Sequence, residues 1–168
     1  ETFPKAAPVA SLLEEVPEMR METKVLANCL KVVVVPNTEV PTAIVTLGCL
    51  NGAASEDPAR PGVASMTLAM LNQGTEHYTA EELADLAEYH AISLWPSTSA
   101  NASEFNASAL SEKLPTAMEL LAETIRRPTF PAKKFRMLKR RTWAGLKMVE
   151  SDPSWKATWE LRRRIYGD

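Results

Sequence analysis

Glycine, histidine and cysteine are scarce in this chain, and each scarcity removes a class of chemistry. Only 6 of 168 residues are Gly. Neither G-x-x-x-x-G-K nor G-x-G-x-x-G occurs, so there is no backbone nest of the kind that cradles nucleotide phosphates. The two histidines, His77 and His90, stand thirteen positions apart. Two imidazoles on one helix face need a spacing of about three or four, so no zincin pair, direct or inverted, can be written. No G-x-S-x-G elbow is present and neither His has a signalled Ser partner, which leaves serine hydrolysis without its base. Cys29 and Cys49 are too distant in sequence for a C-x-x-C clip, and two thiols with two scattered imidazoles do not read as a structural zinc site. Long apolar runs are missing too. Nothing approaches the roughly 18 residues of a membrane helix, and the longest β-branched run, residues 32–35, is strand-sized.

What is present is ordinary for a globular protein: 45% hydrophobic and 24% charged residues, in a length that suits one domain or a piece of one. The formal charge of −2 conceals an asymmetry. Residues 1–90 carry 13 acids and 5 bases, whereas residues 91–168 carry 8 acids and 14 bases. Nine of those bases fall from Arg126 to Lys147, a span without Asp or Glu. Lys133, Arg136, Arg140 and Lys147 recur near one helix face with Trp143 beside them. That face could attract an anionic partner, and a solvated surface is the plainer reading. Nucleic acid is not favoured, because the chain as a whole is slightly acidic and a single aromatic interleaves with the bases.

Residues 1–20 contain Pro4, Pro8 and Pro17 and lack the layout of a signal peptide, so they read as a linker or processed segment and fix no compartment. Residues 21–26, 30–35 and 42–50 have strand composition. A hairpin between the last two, through Pro36 and Pro41, would place Cys29 nearly opposite Cys49, as a bonded pair or as two buried thiols. A helix is expected from Gly62, buried on more than one side, and ended by Asn72-Gln73-Gly74. Thr79 and Glu82 form a capping box for the next, with Leu83, Leu86 and Ala87 as its stripe. Strands follow at 91–94 and 104–110, with Pro96 denying a ladder donor between them. Asn101-Ala102-Ser103 and Asn106-Ala107-Ser108 fit the N-glycosylation pattern, which polar stretches often match by chance. A helix over 111–126 would bury Leu114, Met118, Leu121 and Ile125. Another begins at Pro131 with Phe135, Leu138, Thr142, Leu146 and Val149 on one face, and a last one starts at Asp152-Pro153. Strands and helices without regular βαβ spacing give an α+β class, an antiparallel or mixed sheet packed against a layer of helices.

The order and spacing of several short pieces resemble the N-terminal half of an insulinase (pitrilysin-like) metallopeptidase subunit. They are Leu26-Ala27-Asn28-Cys29-Leu30, Gly52-Ala53-Ala54-Ser55-Glu56, the segment from Gly62 to Met70, Gly74-Thr75, Pro128-Thr129-Phe130-Pro131 and Tyr166-Gly167. The resemblance covers residues 21–168, as a half-domain incomplete at its C-terminus and hence a piece of a longer chain. It implies an inverted H-x-x-E-H zinc motif on the helix between Gly62 and Gly74. Read across, the first His position is Ser65, the general-base Glu is Leu68 and the second His is Ala69, while the distal Glu ligand falls at Ala144 or Gly145. All four chemical roles are missing. Zinc-activated water needs about three protein ligands and a base, so the chain is expected to hold no metal and to hydrolyse no peptide. Members of this kind pair with, or are fused to, an active zinc subunit, so zinc belongs to that partner and peptide substrate is met indirectly. Self-association through exposed apolar surface is a further expectation. A longer active peptidase whose motif lies in another half, and a binding module for an anionic partner through residues 133–147, are the alternative readings. Two departures from the family pattern matter locally. Cys29 replaces the usual turn Gly, and Pro96 lies in the strand to which such proteins add substrate, so strand addition there is expected to be impaired.

Overall fold

The computed structural model describes residues 20–167, so most of the expected N-terminal linker lies outside the described residues. The described residues divide into two compact units, one ending at Val40 and one beginning at Pro41.

In the first unit β1 (Glu22–Val25) pairs antiparallel with β2 (Lys31–Val34), Glu22 opposite Val34 and Val25 opposite Lys31. The turn between them is built locally. Cys29 N donates to Leu26 O at 2.9 Å, and the Asn28 side-chain oxygen accepts from Leu30 N at 3.2 Å. Cys29 has φ of 66°, in the left-handed region, which confirms that a residue with a side chain stands in a position suited to glycine. Left-handed backbone costs a non-glycine residue about 1–2 kcal/mol, and the added freedom of an unfolded glycine takes back about 0.4–1. Cys29→Gly should therefore strengthen this hairpin by a net of about 0.5–1 kcal/mol. Amide exchange at Leu26 and Leu30 is expected to slow by a few-fold; unchanged exchange would mean that the turn is not strained.

The anticipated hairpin of residues 30–35 with 42–50 is corrected: β2 pairs with β1, and β3 (Thr42–Cys49) pairs with β5. The physical reason lies in the connections. The 26–30 loop closes tightly on its own side chain and amides, whereas Pro36 and Pro41 supply no donors at the ends of the other. The register that set Cys29 opposite Cys49 goes with that hairpin. Both cysteines are free and exposed thiols, neither bonded nor buried.

The second unit continues from β3 through a short turn at Ala53–Ser55 to α1 (Val63–Leu71), α2 (Ala80–Tyr89), β4 (Ser93–Thr98) and β5 (Ser103–Leu110). A turn at Ser111–Lys113 leads into α3 (Leu114–Arg126), followed by α4 (Ala132–Glu150) and α5 (Pro153–Tyr166). The sheet order is β3-β5-β4, antiparallel throughout, and the α+β class holds. Phe105, Ala107 and Ala109 of β5 meet Leu71, Leu83, Ile92, Ala117, Leu120 and Leu121 in the core. Small residues on β5 and α3 let that helix lie close to the sheet. This shifts the buried stripe of α3 from the expected Leu114, Met118, Leu121 and Ile125 to Ala117, Leu120, Leu121 and Thr124, leaving Met118 exposed. Thr124 is buried without penalty because its hydroxyl donates to Leu120 O at 2.6 Å.

The capping box is as expected: Glu82 N donates to the Thr79 hydroxyl at 3.2 Å and Thr79 N to the Glu82 carboxylate at 2.8 Å. Asp152 caps α5, accepting from Ser154 N at 2.8 Å, with Trp155 and Trp159 stacked 6.3 Å apart. Two helices are less buried than their apolar content predicts. In α1 only Met70 and Leu71 are buried, and α4 buries none of its residues. No helix among the described residues is long and apolar enough to cross a membrane. Asn106 is buried and holds the Thr46 hydroxyl at 2.7 Å, which removes it as a glycosylation acceptor.

Candidate functional site

α1 carries the positions where the resemblance places a zinc motif, and its N-terminus is held from outside the helix. Gly62, with φ of 88°, turns the chain into α1 in a conformation that favours glycine. The Glu56 carboxylate then reaches back: Oε2 accepts from Gly62 N and Oε1 from Ala64 N, each at 2.6 Å. A charged acceptor across two otherwise unpaired amides, at the positive end of the helix dipole, is a strong clamp. Glu56 is positioned in turn by the Gly52–Ser55 strap. Ala53 N and Ala54 N donate to Ser99 O and Ala100 O of the β4–β5 turn, at 3.0 and 2.8 Å.

The clamped helix presents little metal chemistry. Ser65 is exposed, Ala69 is half-buried, and Leu68 packs against the core. Gly145 lies on α4, exposed, with open space where a side chain would be. α4 runs beside α1, the Thr142 hydroxyl meeting Met66 Sδ at 3.8 Å. Together the four positions offer one hydroxyl and no imidazole, thiolate or carboxylate, so they do not fit a zinc ion. Among the described residues no group of three or more His, Cys, Asp or Glu is arranged to hold a metal.

Both histidines lie elsewhere, along a groove of about 410 Å³ between α2 and α3. His77 Nδ1 is 2.9 Å from a Glu123 carboxylate oxygen, and Arg127 approaches the other oxygen at 3.1 Å. Desolvation pushes the Glu123 carboxyl up, but hydrogen bonds from His77, Thr75 and Arg127 outweigh it and hold the pKa below the ordinary range. This cluster was not legible in the sequence, since 46 residues separate His77 from Glu123. His90 ends α2 and packs edge-on against Tyr89, with ring centroids 4.9 Å apart.

β4 forms one edge of the sheet and runs straight through Pro96, where the sequence reading ended the strand. Register explains the tolerance. Ser99 N donates to Ala102 O at 2.8 Å, closing the hairpin on a hydrogen-bonded pair. Alternation from there puts Thr98, Pro96 and Leu94 at non-hydrogen-bonded positions, whose amides and carbonyls point away from β5. Pro96 thus costs the sheet nothing and deletes an outward donor. The outward carbonyl of Leu94 is approached by the Asn72 side-chain amide at 3.5 Å. The edge is interrupted where an added strand would pair.

The four residues of the basic stripe, Lys133, Arg136, Arg140 and Lys147, are all exposed along α4, and Lys147 lies 3.8 Å over the Trp143 ring. Lys134, on another face, pairs with Glu81 at 2.6 Å.

The α+β layering, with α1 lying between the Gly62 and Gly74 landmarks, agrees with the half-subunit that the sequence resembles. Residues 31–166 match the model of the insulinase family (peptidase family M16), and the chain belongs to that family. A curated relative, the non-peptidase homolog YmxG of Helicobacter pylori (strain ATCC 700392 / 26695), is 27% identical over 132 residues, covering 79% of this chain and 31% of its own length. The crystal structure of a peptidase M16 inactive domain from Pseudomonas fluorescens superposes with a TM-score of 0.81 at 29% identity, covering 89% of this chain and 36% of that one. A protease from Helicobacter pylori shares the fold with a TM-score of 0.66 at 22% identity, over 75% of this chain and 32% of that one. The chain therefore spans about a third of the length of these relatives.

Proposed function

We propose that this domain is the non-catalytic half of an insulinase-like assembly, pairing with an active zinc subunit or half and helping to enclose peptide substrate that the partner cleaves. One observation carries the reading: α1 keeps its clamp, its turn and its place against the sheet, while Ser65, Leu68, Ala69 and Gly145 supply neither ligands nor base. A fold kept intact around a missing chemistry is what a structural partner requires. The interrupted β4 edge agrees, because substrate held by strand addition would find no donor at Pro96. The names of the two relatives, a non-peptidase homolog and an inactive domain, support the same reading.

The test is purification of the full-length protein from its native source, with metal analysis and peptidase assay of every polypeptide that accompanies it. The expected result is a second, zinc-loaded polypeptide or half that cleaves peptides, and a chain that alone carries no stoichiometric zinc and cleaves none. One zinc per isolated chain would overturn the proposal. The short span relative to its relatives favours one further reading, in which the active half belongs to the same polypeptide; an intact H-x-x-E-H in the longer chain would show it.

A further inference from the structure

Every asparagine in this chain but one is followed by a residue with a side chain. Asn28, Asn37, Asn72, Asn101 and Asn106 precede Cys, Thr, Gln, Ala and Ala, whereas Asn51 precedes Gly52. The difference matters because an asparagine side-chain amide is open to attack by the backbone nitrogen of the next residue, and a Cβ on that residue stands in the way. Asn51 is exposed and lies in the loop after β3, outside helix and strand. Gly52 N makes no hydrogen bond to another described residue, so no bond has to break before it meets the amide. The Ser55 hydroxyl donates to the Asn51 side-chain oxygen, the atom on which negative charge gathers when Cγ is attacked. Gly52 itself is buried, so the Asn51 side chain is the part that swings. The opposing restraint is the Ser103 hydroxyl, which donates to Asn51 O at 2.8 Å, a neutral bond on an exposed residue that gives way at modest cost.

We propose that Asn51-Gly52 is a self-modifying site: Asn51 deamidates through a cyclic imide, and the isoaspartyl product unfastens the strap and, with it, the start of α1. In the first step Gly52 N bonds to Asn51 Cγ and the Cγ–Nδ2 bond breaks, the amide proton of Gly52 leaving with Nδ2 as ammonia. In the second, water opens the imide at one of its two carbonyls. Opening at Cγ leaves an aspartate in an unchanged chain. Opening at the backbone carbonyl leaves an isoaspartate, in which the chain runs through Cγ and is longer by a methylene. Water is the sole co-reactant, and the product carries a new carboxylate. The added methylene falls directly before Gly52, where even a Cβ would lie within 2.6 Å of Ala102 N, Ser99 O and Ala100 O. No side chain is there to yield, so the displacement passes along the strap. Ala53 N and Ala54 N leave Ser99 O and Ala100 O, and the Glu56 carboxylate is drawn from Gly62 N and Ala64 N. The inference goes beyond the partner reading and does not depend on it.

The experiment ages the whole chain in neutral buffer and follows it by peptide mapping, which separates the asparaginyl, aspartyl and isoaspartyl forms. Asn51 is expected to convert at least about tenfold faster than any other asparagine of the chain, giving both products. Hydrogen exchange of the isolated isoaspartyl form should show protection at Ala53, Ala54, Gly62 and Ala64 reduced by about tenfold or more, with the amides of α2 unchanged. Asn51→Gln, whose longer side chain cyclises far less readily, should age with neither change. Asn51→Asp, measured fresh, should keep the strap amides protected, because it adds the charge without the backbone atom. Conversion of Asn51 at the pace of the other asparagines, an isoaspartyl form with unaltered exchange, loss of protection in aged Asn51→Gln, or an equal loss in fresh Asn51→Asp would each overturn the proposal. None of these results bears on whether a zinc peptidase accompanies the protein, so the two readings stand or fall separately.

Discussion

Replacing Gly52 by alanine is expected to lower the thermal midpoint of the chain by about 6–12 °C, corresponding to about 3 kcal/mol. The reason is space rather than backbone conformation, because Gly52 has φ of −111° and ψ of −163°, an extended geometry open to any residue. A Cβ there would lie 2.5 Å from both Ala102 N and Ser99 O and 2.6 Å from Ala100 O. All three are backbone atoms, so no side chain can swing aside. The β4–β5 turn would have to retreat, and the bonds from Ala53 N and Ala54 N would be lost with it. Two glycines serve as controls. At Gly48 a Cβ would come no closer than 3.9 Å, to Glu104 Cγ, and Gly48→Ala should be nearly silent. At Gly145 it would meet nothing within 4 Å, and Gly145→Ala in a helix interior should stabilise by about 0.5–1 kcal/mol. Equal melting of the Gly52 and Gly48 variants would mean that the strap is not seated against the turn.

Removal of the Glu56 carboxylate should cost about 1.5–3 kcal/mol, the range for hydrogen bonds to a charged acceptor. In Glu56→Ala both Gly62 N and Ala64 N lose their partner. Glu56→Gln keeps one carbonyl acceptor but gives up the charge facing the helix dipole, so its loss should be about half as large. Urea unfolding measures the totals, and hydrogen exchange localises them. The amides of Gly62 and Ala64 are expected to exchange faster in both variants, while those of α2, capped independently by Thr79 and Glu82, keep their rates. Uniform acceleration across both helices would contradict a local clamp.

The local parts of this architecture were legible in the sequence because their signals are local. Thr79 with Glu82, Asp152 with Pro153, and the strand-forming run at 42–50 each carry their instructions within a few residues. The misreadings came where partners are remote. Choosing β5 rather than β2 as the neighbour of β3 depends on a pairing some sixty residues away, as between Thr46 and Asn106, and no propensity encodes that. Periodicity found the correct period in α3 and placed Leu121 and Ile125 against the core, but set the stripe about one residue off, since the small side chains of Ala117 and Thr124 win by close approach rather than by hydrophobicity. At the site, the reading of Ser65, Leu68 and Ala69 rests on residue identity between two family landmarks, Gly62 and Gly74, and needs no tertiary contact. The Gly52–Glu56 segment was legible only as a family landmark. What it does, strapping a turn and clamping a helix, follows from contacts with Ser99, Ala100, Gly62 and Ala64 that no spacing rule announces.

The clamp also sets how freely this helix can be rewritten. Because α1 is fastened at its start by Glu56 and at its finish by Met70 and Leu71, the surface between those anchors carries little of the burden of holding it in place. Ser65 looks outward, and Gly145 faces unfilled space. Leu68 is the exception, committed to the hydrophobic interior. Of the positions that the resemblance assigns to a hydrolytic centre, Ser65 and Gly145 are therefore open to larger side chains, whereas half-buried Ala69 and core-packed Leu68 would resist them.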